Sequence, residues 1–104
     1  MINFKGFQLK LTRGNNCFID KNRDFFKAIK FVQVDEIIEI HATKLKKVDS
    51  VYTHPENSEI FGIYSVTLTD ESSIISVYSV LNKIVLLQSA DSRTFYAFPL
   101  LHRD

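Results

Sequence analysis

The chain has 104 residues, 45% of them apolar, including nine Phe and four Tyr. That suffices for one folded domain with one core and is too short for two, so residues 1–104 read as a single domain. The net charge of +1 excludes a strongly basic or acidic protein, but the charge is uneven: residues 1–47 carry +5 and residues 48–104 carry −4. No stretch approaches the roughly 18 uncharged apolar residues of a membrane-spanning helix. The N-terminal MINFKGFQLK lacks the apolar core and small-residue cleavage site of a secretory signal. Cys17 is the single cysteine, which rules out an internal disulfide and makes a reducing, cytoplasmic setting the expectation.

In chain order, QLKLTRGNNCFID predicts a β-hairpin: Leu9 and Leu11 alternate with polar residues, Gly14-Asn15 supplies the turn, and Phe18-Ile19 returns. Asp20 or Asn22 suits the cap of a short helix over RDFFKAIK, with Phe25, Phe26 and Ile29 toward a core. FVQVDEIIEIHAT fits two periods. Val34, Ile37, Ile38, His41 and Leu45 match one helical face, whereas Val32, Val34, Ile38 and Ile40 alternate with only Glu36 out of step; its β-branched residues favour a strand. KLKKVDSVYTHPENSE reads as a long loop.

From Ile60 onward the pattern predicts a four-stranded antiparallel meander, broken at Asp70–Ser73, Asn82-Lys83 and Ala90–Arg93. A turn at Asp70–Ser73 would pair Leu68 with Ile75 and Val66 with Val77 on one buried face, and would leave Thr67 and Ser76 on the other. Continuing the register sets Val80 against Val85, Tyr78 against Leu87, then Leu87 against Tyr96 and Val85 against Phe98. Tyr78, Val80, Val85, Leu87, Tyr96 and Phe98 thus form an apolar second face, opposite Leu81, Ile84, Leu86, Phe95 and Ala97. Leaving a few hundred Å² of such surface in water forgoes several kcal/mol at roughly 25 cal/mol per Å², so something must cover it. The fold class expected is α+β, mainly β: an N-terminal β-hairpin, one short helix and an antiparallel meander, closed as a small barrel or a two-layer sandwich.

No enzyme signature emerges. His41, His54 and His102 stand in no metal-ligand spacing, Cys17 has no sequence-local partner, and Gly6, Gly14 and Gly62 are too scattered for a phosphate-binding loop. Neither a catalytic residue nor a metal or other cofactor is expected. The leading functional expectation is a non-enzymatic interaction module that binds a protein partner and pairs with itself through Tyr78, Val80, Val85, Leu87, Tyr96 and Phe98. A stand-alone chain of this composition suits an inhibitor or accessory factor, one encoded by a phage included. The second reading is nucleic-acid binding by the basic half through Lys27, Lys30, Lys44, Lys46 and Lys47. A small enzyme using His54 or Cys17 comes third.

Overall fold

The computed structural model describes residues 1–4, 6–12, 15–50, 57, 63–88 and 94–99. Its strands are β1 (Ile2–Phe4), β2 (Phe7–Leu9), β3 (Cys17–Asp20), β4 (Phe25–Val34), β5 (Ile37–Ser50), β6 (Tyr64–Ser76), β7 (Val80–Gln88) and β8 (Thr94–Pro99). Strands β3 to β8 close an antiparallel barrel in the order β3-β4-β5-β6-β8-β7, and β1 and β2 form a separate two-stranded sheet. The mainly β class expected from the sequence is present, and of the two closures expected, a small barrel or a two-layer sandwich, the barrel is the one formed. The short helix is not: the one helical segment among the described residues is a 3-10 turn, Val77–Ser79.

The N-terminal hairpin forms one segment earlier than the pattern indicated. Ile2 faces Leu9 and Phe4 faces Phe7, with those two rings stacked 4.7 Å apart. Gly6 reverses the chain at φ 91°, a conformation that costs other residues a Cβ clash. Downstream, the Lys10 amide donates to the Asn15 carbonyl at 2.8 Å, but β2 does not pair with β3. The proposed turn residue Gly14 lies outside the described residues.

The helix expected over RDFFKAIK is the start of β4. Asp20 does cap backbone amides, accepting from Asn22 N at 3.0 Å and Asp24 N at 2.9 Å, yet these bonds close a tight turn between β3 and β4. Arg23 sits there at φ 68°. A strand wins because Phe25 and Phe26 then point to opposite faces, and both faces are covered. The following ambiguity resolves into two strands. Val34 faces Ile37 across a two-residue turn with Asp35 at φ 57°. Glu36, the residue out of step with alternation, is in that turn. The lysine-rich segment read as a loop continues β5 as far as Ser50; most of the remainder lies outside the described residues.

Two expected turns are absent. Asp70–Ser73 lie within β6, and Asn82-Lys83 lie within β7, so three strands stand where four were expected. Leu68 faces Leu45 and Ser72 faces Thr43, so residues 69–71 bulge opposite Lys44 alone. Thr69 Oγ1 fixes this bulge, donating to the Lys44 carbonyl at 2.6 Å while accepting from Glu71 N at 3.1 Å. The polar run that reads as a turn is therefore the site of a bend. Val66 is buried and Leu68 is half exposed, while Ile75 and Val77 pack against a different cluster, so the four do not share one buried face.

Apolar residues gather in two clusters on opposite sides of β3 and β4. Cys17, Ile19, Phe25, Leu45, Val66, Ile84 and Ala97, one or more from each barrel strand, fill the interior. Ile2 and Leu9 of the N-terminal hairpin cover Phe18, Phe26, Ala28, Ile40, Ala42 and Val80 on the outside. Phe18 and Phe26 stack there with centroids 5.5 Å apart. The barrel hides one face of the sheet, and the hairpin hides part of the other.

Candidate functional site

Strands β7 and β8 pair in the register that the sequence pattern indicated: Val85 faces Phe98 and Leu87 faces Tyr96. Alternation places Ile84, Leu86, Phe95 and Ala97 inside the barrel, where they join or pack against the interior cluster. Val85, Leu87, Tyr96 and Phe98 consequently share the outer face, Leu87 being 53% exposed and the others half-buried. Ser65 and Thr67 of β6 face Tyr96 and Thr94, so hydroxyl groups border the apolar pairs on that side.

The other two residues assigned to this face lie elsewhere. Val80 faces Asp20 of β3 and belongs to the layer under the N-terminal hairpin, 8% exposed. Tyr78 stands in the 3-10 turn, 69% exposed, beyond the end of the strands. Their place on that face depends on a turn at Asn82-Lys83. Those residues instead pair with β3, where Lys83 faces Phe18 and its Nζ donates to Asn15 Oδ1 at 2.7 Å.

The five lysines do not gather as one patch. Lys44, Lys46 and Lys47 line a shallow groove with Asp24 and Glu71, and Lys44 Nζ lies 3.9 Å from an Asp24 carboxylate oxygen. Lys47 Nζ sits 5.0 Å from the ring centroids of both Phe25 and Tyr64, a cation–π arrangement. Lys30 faces His41 across β4 and β5 in a second depression. Lys27 faces Cys17 and lines a third.

Cys17 is buried, and its Sγ lies 3.5 Å from Asn16 Oδ1. Burial pushes its thiol up to about 11, against the lowering influence of Lys27, so the reactive thiolate is disfavoured near neutrality. His54 and His102 lie outside the described residues. Among the described residues no three His, Cys, Asp or Glu side chains are close enough to hold a metal ion. No described helix is long and apolar enough to cross a membrane.

One feature escaped sequence reasoning. A cavity of about 620 Å³ opens at one mouth of the barrel, between Cys17, Lys27, Leu68, Ile84, Leu86 and Phe95. Its wall comes from five strands, so no alternation within one segment announces it. No curated protein and no solved structure matches the chain. Residues 1–100 match a family described as a domain of unknown function, DUF8592, and the chain belongs to that family.

Proposed function

We propose that the protein is a small non-enzymatic interaction module of the cytoplasm that pairs with a second copy of itself through the outer face of β7 and β8. The observation that carries this reading is the pair of adjacent cross-strand contacts, Val85 with Phe98 and Leu87 with Tyr96, on the outside of a closed barrel. The inward side chains of these strands, Ile84 and Ala97, already belong to the interior core, and this second apolar layer lies outside it. A twofold arrangement lays the patch of one copy on that of another, the commonest closed geometry for identical chains. Tyr96 suits the border of such a contact, since its ring buries area while its hydroxyl reaches the polar rim.

The reading predicts a dimer at micromolar concentration by native mass spectrometry. Leu87→Glu, Tyr96→Glu or Phe98→Glu shifts it to monomer while the circular dichroism spectrum stays that of a folded β protein. A wild-type monomer across the same range, or variants that unfold without first separating, overturns it. Nucleic-acid binding ranks second: Asp24 and Glu71 share the groove of Lys44, Lys46 and Lys47 and reduce its attraction for phosphates.

A further inference from the structure

The two mouths of the barrel differ. Phe25 and Tyr64 meet edge to face at one of them, centroids 5.5 Å apart, with the Lys47 ammonium over both rings. Following β4 from Phe25 to Lys27, β6 from Tyr64 to Leu68 and β7 from Ile84 toward Gln88 leads to the opposite mouth. There the cavity of about 620 Å³ opens, with Ile84, Leu86 and Phe95 forming the apolar part of its wall, Asn16 and Gln88 its polar part, and Leu68 on its rim, 50% exposed although it points along the interior face with Leu45. This volume is in the range of pockets that enclose a small organic ligand, and small barrels hold such ligands in their mouths.

Among the described residues, Lys27 is the charged one on this wall. It is half-buried, and among the described residues no carboxylate pairs with it. Lys47 at the other mouth is engaged by two rings, so the two cations differ in what they have left to bind. An ammonium held beside an apolar wall attracts an anion more strongly than one in open water does, because the local dielectric is lower. We propose that this mouth binds a small apolar carboxylate, its hydrocarbon part against Ile84, Leu86, Phe95 and Leu68 and its carboxylate on the Lys27 ammonium. The site is independent of the outer face proposed for self-association, since the two lie on opposite sides of β7 and β8.

The test is calorimetric titration of the full chain with decanoate and with decanol, followed by amide chemical shifts. Decanoate should bind saturably and shift the amides of Cys17, Ile84 and Phe95. Lys27→Gln should weaken decanoate about tenfold and leave decanol unchanged, Lys27→Arg should retain decanoate binding, and Lys46→Gln should change neither. Leu87→Glu should bind decanoate as the wild type does, which separates this site from the dimer face. Absence of saturable decanoate binding, as when another part of the chain or a second copy fills the mouth, overturns the proposal. So do equal losses for decanoate and decanol in Lys27→Gln, or shifts confined to Val85, Leu87, Tyr96 and Phe98.

Discussion

The outer surface of the barrel carries two apolar faces with different fates. Over β3 and β4, Phe18 and Phe26 are capped by Ile2 and Leu9 of the N-terminal hairpin and are almost wholly removed from water. Over β7 and β8, two further pairs of comparable residue type, Val85 with Phe98 and Leu87 with Tyr96, lie on the outside with Leu87 half exposed. The amino acids hardly distinguish these faces; what lies over them among the described residues does. A strand with both sides apolar is a request for two partners, and this chain supplies the outer one visibly on β3 and β4. The same request on β7 and β8 is the physical ground for the proposed self-association.

Substitutions break the comparison most sharply at the centre of each face. Leu9→Asp places an unpaired charge in a fully buried position, so the hairpin should lift and stability should fall by several kcal/mol in urea unfolding. Leu87→Asp, on the other face, should change the stability of the monomer by about 0.5 kcal/mol or less. A similar loss from both would erase the distinction. Truncating the aromatic pair is the next largest test. Phe18→Ala should cost about 3–5 kcal/mol, as a fully buried ring does, whereas the half-buried Phe98 should cost clearly less when changed to Ala.

The turn of the capping hairpin offers a smaller effect. Gly6→Ala puts a Cβ at φ 91° and should cost about 1 kcal/mol by thermal unfolding, with the loss concentrated in faster amide exchange of β1 and β2. A stabilising result would mean that the hairpin turns in another way. The smallest effect is at alkaline pH. The folded Cys17 thiol holds its proton up to about 11, against an ordinary value of 9.0, so between these values the unfolded state binds fewer protons. Stability attributable to Cys17 should therefore be fully present below pH 9 and decline as pH rises through that window, relative to Cys17→Ala. A difference between the two proteins that stays constant from pH 8 to pH 11 would contradict the burial argument.

How far the sequence revealed the fold follows from which signals are local. The β7–β8 register was legible because alternation on both strands had one consistent solution, and the structure has it. Glu36 marked its own turn by breaking alternation. Asp70–Ser73 misled because the same polar residues serve a turn or a bulge, and only the long-range bond from Thr69 to the Lys44 carbonyl decides between them. Phe25-Phe26 misled for a related reason: two adjacent aromatics suit a strand only when both sides are covered, and the cover comes from residues 2–9 and from distant barrel strands. The four residues that share the outer face of β7 and β8 were thus readable as neighbours, Tyr78 and Val80 were carried off by the mistaken Asn82-Lys83 turn, and the barrel-mouth cavity was not readable at all.

The central claim, that the outer face of β7 and β8 meets its own copy, is tested most directly by mixing isotope-labelled and unlabelled chains and recording only contacts between them. The account predicts cross-protomer contacts from the methyl groups of Val85 and Leu87 to the rings of Tyr96 and Phe98, lost in Leu87→Glu. A dimer whose contacts fall on other strands, or a wild-type sample with no contacts between chains at micromolar to millimolar concentration, would contradict it.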